Sequence, residues 1–184
     1  FLEVDVEGNV NVSKLGKKPY LTAGCGGFVD ITAHARKIVF SGWFEAGAEI
    51  ALSDDGLSVV KPGKFTKMVD AVEHVTFSGK RQREKRLDGR IFRKRARAQG
   101  QDVMCVTERC VIRLTESGLV ATEIMPGIDP VRDIVSASEG RVAVAENAIK
   151  IPKALLGRAP MGLSLGGLLI SIEDRVAVFT LDNP

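Results

Sequence analysis

The stretch TAGCGGFVDI, residues 22–31, contains three closely spaced glycines, Gly24, Gly26 and Gly27, between a turn-rich segment and an apolar run. Glycine is used where the backbone needs a positive φ angle or where a ligand comes close to the amides. A row of bare N–H groups that leads into a helix also suits an anion or a developing oxyanion. From these residues alone, two interpretations stay open: a tight strand-to-helix turn, and a cradle of backbone amides beside an active site.

The glycine loop does not match the two common phosphate-binding fingerprints. Val29 stands where the dinucleotide-binding pattern has its third glycine, and no Gly-Lys-Ser/Thr follows as in a Walker loop. The loop by itself therefore does not indicate a nucleotide site.

Composition places the chain among ordinary globular domains. It has 184 residues, of which 45% are hydrophobic and 27% charged, and its apolar stretches are too short to span a bilayer. Its three irregularly spaced cysteines argue against a disulfide framework, and two histidines without a Cys-x-x-Cys pair argue against zinc. We therefore predict a cytoplasmic protein without a metal site and without membrane contact.

Hydrophobic periodicity predicts more strands than helices, as in an α/β sheet domain with several hairpins. The pattern predicts a hairpin over 1–13, a helix to Arg36, a strand over 37–44, a hairpin over 48–63, a helix and then a strand over 65–79, two strands over 101–125 that turn at 116–118, a short helix within 126–138 begun by Asp129 and Pro130, a tail and linker over 141–167, and a strand–turn–strand over 168–184.

Seven segments, in this order, carry a resemblance to a known family: GNVNVS (8–13), AGCGGFVDI (23–31), ARKIVFSGWF (35–44), KFTKMVDAVEHVTFSG (64–79), VTERCV (106–111), EIMPGID (123–129) and APMGL (159–163). Over residues 1–163 the chain resembles the C-terminal part of a class I coenzyme A transferase, of the acetate/acetoacetate or propionate type. The family's Gly-x-Gly-Gly-x-x-Asp loop falls on Gly24, Gly26, Gly27 and Asp30. The resemblance implies an α/β fold of the NagB/RpiA/CoA transferase-like type, an open sheet with flanking helices, incomplete at its N-terminus.

The resemblance also implies a reaction. A glutamate attacks an acyl-CoA thioester, the released CoA thiolate forms a glutamyl-CoA thioester, and a short-chain carboxylate reverses the steps. Coenzyme A is then substrate and covalent intermediate, with no other cofactor. The backbone amides of Gly26 and Gly27 are expected to bind the oxyanion. The residues expected to contact CoA are Gly24, Cys25, Gly26, Gly27, Phe28 and Lys64.

The nucleophilic glutamate is expected upstream of Phe1, outside this chain. The family's Glu-x-Gly-x-x-Gly motif has one lookalike here, TESGLVA with Glu116, which ends in Ala121 where glycine is expected and is interpreted as a hairpin turn. Glu108 is interpreted as a structural residue at a strand edge. The isolated chain is therefore expected to be inactive, to need the upstream part of the protein, and to form a homo-oligomer.

Other reactive side chains have plainer interpretations. The two histidines are predicted to be structural, and Cys25 is predicted to be a small packing residue and not a thiol nucleophile. Three lysines could meet CoA phosphates, although a solvated face explains them equally well: Lys61, Lys64 and Lys67.

A basic segment interrupts the family pattern. Residues 80–100 hold ten Lys or Arg against two acids, although the whole chain carries a net charge of only +3. Residues 80–98 are interpreted as an exposed inserted loop, with contact to CoA phosphates or another subunit as the second interpretation and nucleic-acid binding as the third. A non-catalytic CoA-binding or assembly module and a non-functional truncated product are the further alternatives for the chain.

The C-terminal residues lie outside the transferase pattern. Residues 164–184 are interpreted as a linker followed by LLISIEDRVAVFTLDNP, which is similar to the first strands of enoyl-CoA hydratase/isomerase (crotonase) proteins. A simple C-terminal hairpin is the alternative.

Overall fold

The computed structural model describes residues 1–16, 21–79, 84–85, 91–92, 101–157, 168–173 and 176–181, and side chains within 1–16, 23–79 and 101–157. The chain divides into two compact units, Phe1–Pro152 and Lys153–Pro184. Its strands are β1 Glu3–Asp5, β2 Val10–Asn11, β3 Lys14–Leu15, β4 Leu21–Thr22, β5 Lys37–Ser41, β6 Glu45–Ala46, β7 Glu49–Ser53, β8 Gly56–Lys61, β9 Phe65–Thr66, β10 Met68–Val69, β11 Glu84–Lys85, β12 Ile91–Phe92, β13 Asp102–Val106, β14 Cys110–Thr115, β15 Gly118–Ile124, β16 Val142–Lys150, β17 Leu168–Glu173 and β18 Val176–Leu181. Its helices are α1 Phe28–His34, a π-helix Pro130–Ser136 and a 3-10 helix Lys153–Leu156.

A five-stranded mixed sheet forms the centre of the first unit, with the strand order β16-β15-β14-β13-β5. The strands β13, β14 and β15 follow one another as antiparallel neighbours, whereas β5 and β16 join the two edges in parallel pairing. A parallel neighbour needs a crossover connection, and the π-helix lies within the connection between β15 and β16.

One face of this sheet forms the core. Alternate residues of a strand point to opposite faces, so the register places Phe40, Cys105, Ile112 and Ala121 in one row across four strands. All four side chains are buried, whereas Val39, which points to the other face of β5, is 56% exposed. The predicted strand over 37–44 is therefore half-buried and ends at Ser41.

The GNVNVS segment builds a turn whose polar side chains satisfy backbone groups. The buried Asp5 carboxylate accepts from the backbone N–H groups of Glu7 and Asn9, both at 2.9 Å, and from the Asn9 side-chain amide. The Asn11 side chain bonds to the backbone of Ser13 and Lys14. These residues have structural roles, because buried polar groups need hydrogen-bond partners.

Most predicted elements agree with the structure. The hairpins over 1–13 and 48–63, the helix after the glycine loop, the strands that turn at 116–118 and the short helix started by Asp129 and Pro130 are all confirmed. The Asp129 side chain accepts from the Arg132 N–H at 2.7 Å, which is the expected helix cap. Among the described residues, α1 and the π-helix flank an open sheet, as the predicted fold class requires.

Two predictions were wrong. Residues 65–79 form no helix: β9 pairs with β6 and β10 pairs with β1, so long-range pairing overrides the helical spacing. Residues 142–150, predicted as part of a tail, form the edge strand β16, because a parallel partner gives no local turn signal.

The second unit contains the two strands of the predicted C-terminal strand–turn–strand, β17 and β18, which pair antiparallel. Residues 174 and 175 between them lie outside the described residues. The predicted domain boundary between residues 163 and 164 lies outside the described residues. The basic segment 80–98 also lies outside them, except for the backbone of β11 and β12, which pair antiparallel.

Candidate active site

The glycine loop is an exposed turn that leads into α1. Gly26 has a φ angle of +48°, which favours glycine, and a Cβ atom at Gly24 or Gly26 would meet nothing within 4 Å. The loop closes through a hydrogen bond from the Phe28 N–H to the Cys25 carbonyl at 2.9 Å. Asp30 lies exposed in the first turn of the helix. The glycines therefore keep one side of the backbone open instead of fitting against a neighbouring part of the protein.

Two adjacent amides of this loop are free to donate. Among the described residues, the N–H groups of Gly26 and Gly27 have no hydrogen-bond acceptor, whereas the Phe28 N–H is used within the loop. Both glycines are exposed. Neighbouring unpaired N–H groups on an open surface can bind an oxyanion or a carboxylate oxygen.

Aromatic packing holds the loop and its helix on the sheet. The Phe28 ring lies 5.8 Å from the ring of Phe40, and the Phe40 ring in turn makes an edge contact with Phe77 at 5.1 Å. The described contacts of Phe28 therefore position the loop, and its predicted contact with CoA stays a prediction.

The far end of α1 is held by a residue that sequence reasoning missed. The Gln101 side-chain amide donates to the carbonyls of Thr32 at 2.8 Å and Ala35 at 2.6 Å. The last carbonyls of a helix have no partner within the helix, so this amide satisfies two of them. No local signal marked Gln101, which directly precedes β13.

A buried ionic cluster lies at the connection between β13 and β14. Arg109 is 1% exposed, and its guanidinium contacts the Glu45 carboxylate at 2.5 Å, the Asp133 carbonyl at 2.9 Å and the Glu108 carboxylate at 3.2 Å. The guanidinium also lies 4.9 Å from the ring of Phe44. The VTERCV segment thus connects β6 and the π-helix with the central sheet; its resemblance to the family was the only sequence signal for this cluster.

The two glutamates considered as nucleophiles have other surroundings. Glu108 accepts a hydrogen bond from the Phe44 N–H at 2.9 Å and faces Arg109, so it is structural. Glu116 is exposed in the turn between β14 and β15, where Thr115 bonds to Ser117 and Gly118. Both positions agree with the predicted structural roles.

The three cysteines are free thiols in different environments. Cys25 is partly exposed in the glycine loop. Burial raises the pKa of the Cys105 thiol and that of the Cys110 thiol to about 12 each, so both are protonated at neutral pH.

The three lysines considered for CoA phosphates and the two histidines have separate surroundings in the described part of the chain. Lys61 pairs with Glu49 at 2.8 Å, and the Lys67 ammonium lies 5.8 Å from the Phe1 ring. The Lys64 side chain is exposed, and no hydrogen bond, ion pair or ring contact among the described residues joins it to the glycine loop. Both His34 and His74 are exposed. Neither histidine has a buried partner in the described part of the chain that would give it the predicted structural role.

The described part of the chain contains neither a metal-binding cluster of side chains nor a helix that could span a membrane. No group of three or more His, Cys, Asp or Glu residues is placed to bind a metal ion there. Over the same ranges, no helix has the length and apolar composition that a membrane span needs.

Known proteins resemble the chain over most of its length. Caffeate CoA-transferase of Acetobacterium woodii is 36% identical over 164 residues, which are 88% of this chain and 28% of that protein. Acetate CoA-transferase YdiF of Escherichia coli K12 is 34% identical over 166 residues, or 90% of this chain and 28% of that protein. No protein-family profile matches. The chain thus spans between a quarter and a third of the length of these relatives.

Solved structures show the same relationship. The acyl-CoA transferase YdiF of Escherichia coli O157:H7, as the apoenzyme, superposes with a TM-score of 0.73 at 34% identity, over 90% of this chain and 29% of that one. Its thioester complex with CoA gives the same values. The chain is therefore a homologue of CoA-transferases over most of its length, and it has the α/β fold of the corresponding part of an acyl-CoA transferase.

Proposed function

We propose that this chain is part of a class I CoA-transferase that moves coenzyme A between an acyl-CoA and a short-chain carboxylate. The observation that carries the proposal is the similarity to CoA-transferases over 88–90% of the chain, in a matching fold. The open pair of amides in the glycine loop supports it, because acyl transfer develops negative charge on a carbonyl oxygen.

The proposed reaction uses a glutamate as a covalent catalyst. Its carboxylate attacks the thioester carbonyl of the acyl-CoA, and the C–S bond breaks to give an acyl-glutamyl anhydride and CoA thiolate. The thiolate then attacks the glutamyl carbonyl, which releases the first carboxylate and leaves a glutamyl-CoA thioester. The acceptor carboxylate runs the same steps in reverse, so no oxidant, metal or further cofactor is consumed.

Each addition in this sequence passes through a tetrahedral oxyanion. In our proposal the N–H groups of Gly26 and Gly27 donate to that oxygen. They are preorganised because Phe28 fixes one end of the loop on the sheet and the Cys25 carbonyl closes the turn. Gly24 and Cys25 lie beside these amides and form the surface along which the CoA thioester is proposed to lie.

We also propose that the Lys64 ammonium attracts a phosphate group of CoA through a long-range electrostatic interaction. Its ammonium is exposed and has no acidic partner in the described part of the chain, so it is available to a phosphate. This contact requires that CoA extends from the glycine loop to the turn between β8 and β9.

The remaining parts of the machinery are proposed to lie outside this chain. The nucleophilic glutamate belongs, in this proposal, to the part of the transferase that precedes Phe1, because the Phe44 N–H holds the Glu108 carboxylate and Glu116 lies exposed in a hairpin turn. We further propose a cytoplasmic homo-oligomer. We also propose that residues 164–184 are a linker and the first strands of a crotonase-like domain, which plays no part in the transfer reaction.

A reconstitution assay tests the proposal. CoA transfer from acetoacetyl-CoA to acetate is measured with this chain alone, with the preceding part of the protein alone, and with both together. We expect activity in the mixture only. Activity of this chain alone would refute the proposal that the nucleophile lies outside it, and Glu116 would again be a candidate nucleophile. Inactivity of the mixture with every acyl donor tested would refute the proposed transferase activity.

The role of the amides is tested by a matched pair of variants at Gly27. Its φ angle of −78° is compatible with proline, so Gly27→Pro removes the N–H while this angle is kept. Gly27→Ala keeps the N–H, and the new Cβ meets only Ile31 at 3.7 Å. We expect Gly27→Pro to lower kcat by about 10²- to 10³-fold and Gly27→Ala to stay near the parent value. Equal activity of the two variants would exclude this amide as an oxyanion donor.

A further inference from the structure

The strand β5, residues Lys37–Ser41, forms one edge of the central sheet, and its outer side has no partner strand among the described residues. The ends of its ladder with β13 are fixed by two hydrogen bonds, from the Asp102 N–H to the Arg36 carbonyl at 2.9 Å and from the Gly42 N–H to the Val106 carbonyl at 3.1 Å. A parallel ladder uses every second residue of a strand. Ile38 and Phe40 therefore bond to β13. The residues whose N–H and C=O groups point to the outer edge are Lys37, Val39 and Ser41.

The first residue of the chain already bonds to this outer edge. The Phe1 nitrogen donates to the Ser41 carbonyl at 3.0 Å, and the Phe1 ring lies over Gly42, where an added Cβ would come within 3.0 Å of it. Both contacts are those of a parallel neighbour in which Phe1 is opposite Gly42. The next residue, Leu2, turns away, since its N–H donates to the Asn11 carbonyl. Phe1 thus occupies the position that the last residue of a parallel strand beside β5 would have.

The surroundings of the Phe1 nitrogen suit an uncharged peptide N–H better than a charged amino group. Burial and the nearby Lys67 ammonium lower the pKa of the Phe1 amino group, so its charged form is disfavoured there. An uncharged peptide N–H makes the same hydrogen bond to Ser41 without that cost.

We propose that the segment preceding Phe1 in the full-length transferase forms a sixth strand of this sheet, parallel to β5. This rests on the proposed function, in which the transferase continues before Phe1. In this register the second residue before Phe1 lies opposite Phe40 and the fourth lies opposite Ile38. The third lies opposite Val39 and covers that side chain, which is 56% exposed in this chain.

The register makes a chemical prediction about the segment. Its second and fourth residues before Phe1 border the buried face of the sheet, so both are expected to be apolar. Its third residue is expected to be apolar because it packs beside Val39. An exposed edge strand also invites pairing with a foreign chain, and the added strand would remove that hazard.

Amide hydrogen exchange of the two chain forms tests the proposal. In the chain that starts at Phe1, the Val39 and Ser41 amides are expected to exchange fast while the Ile38 and Phe40 amides are protected by β13. In the full-length protein, Val39 and Ser41 are expected to exchange at least about tenfold more slowly. Unchanged exchange of these two amides would overturn the proposal. A second result would also overturn the proposal: in the chain that starts at Phe1, protection of these two amides increases with protein concentration and sedimentation shows a dimer. That result would indicate that β5 pairs with a second copy of the chain.

A pair of variants gives an independent readout. Val39→Pro removes an N–H that points to the outer edge and leaves the β13 ladder intact, whereas Val39→Thr keeps that N–H. We expect the two variants to have the same urea midpoint in the chain that starts at Phe1, and Val39→Pro to have the lower midpoint in the full-length protein. Equal midpoints in both forms would contradict the added strand. Because neither readout requires CoA transfer, failure here is distinct from failure of the proposed activity.

Discussion

The buried cluster around Arg109 gives a prediction that this chain can test by itself. Arg109→Ala removes a guanidinium that contacts the Glu45 and Glu108 carboxylates and the Asp133 carbonyl. The side chains of Glu45 and Glu108 are only 10% and 13% exposed, so both are left with little access to water or to another cation. Breaking a buried ion pair in this way costs about 3 to 5 kcal/mol.

This loss is a large fraction of the stability of a typical domain, which is about 5 to 15 kcal/mol. With a urea m-value of roughly 2 kcal/mol/M, the unfolding midpoint of Arg109→Ala is expected to fall by about 2 M. Far-UV circular dichroism in a urea series measures both quantities. Addition of Glu45→Gln to Arg109→Ala is expected to recover part of the loss, because it removes one uncompensated charge.

The matched control is Arg113→Ala. Arg113 pairs with Asp102 at 2.9 Å, but the two side chains are 37% and 41% exposed, so its loss is expected to cost at most about 1 kcal/mol. Equal losses for Arg109→Ala and Arg113→Ala would refute the reasoning from burial. A gain of stability in Arg109→Ala would show that the cluster is maintained for a reason other than folding.

Two further predictions concern backbone contacts and alkaline stability. Gly127 and Gly47 both have positive φ angles, +88° and +75°, but a Cβ at Gly127 would lie 2.3 Å from the Leu57 carbonyl oxygen while one at Gly47 would meet nothing. Gly127→Ala is therefore expected to lose about 1 to 3 kcal/mol more in urea unfolding than Gly47→Ala, and equal losses would contradict the clash. The buried Cys105 and Cys110 thiols have pKa values of about 12, against an ordinary value of 9.0, so the unfolded chain releases these protons first. The free energy of unfolding is expected to fall between pH 9 and 12 by about 1.4 kcal/mol per pH unit for each thiol, and Cys105→Ala should remove half of this slope. An unchanged slope would show that other groups cause the alkaline loss.

Local signals in the sequence were enough to predict those elements whose hydrogen bonds join residues only a few positions apart. The hairpin turn at 116–118, the helix start at Asp129 and the helix after the glycine loop depend on nearby turn and capping residues. The resemblance carried by the ordered segments also predicted the fold and the relatives. The open glycine loop was predicted as one of two interpretations, and its exposure in the structure keeps the amide cradle available.

Only the tertiary structure decided which distant residues meet. β16 pairs in parallel with β15 through a crossover, and β5 pairs with β13 across sixty intervening residues, so neither pairing leaves a turn signal between the two strands. Arg109 reads in the sequence as one more surface charge, and its burial depends on Glu45, 64 residues away. Sequence alone thus determined the local turns and the family resemblance, because short-range hydrogen bonds depend on neighbouring residues. The sheet order, the ionic cluster and the outer edge of β5 depend on contacts between remote segments, which exist only in the folded chain.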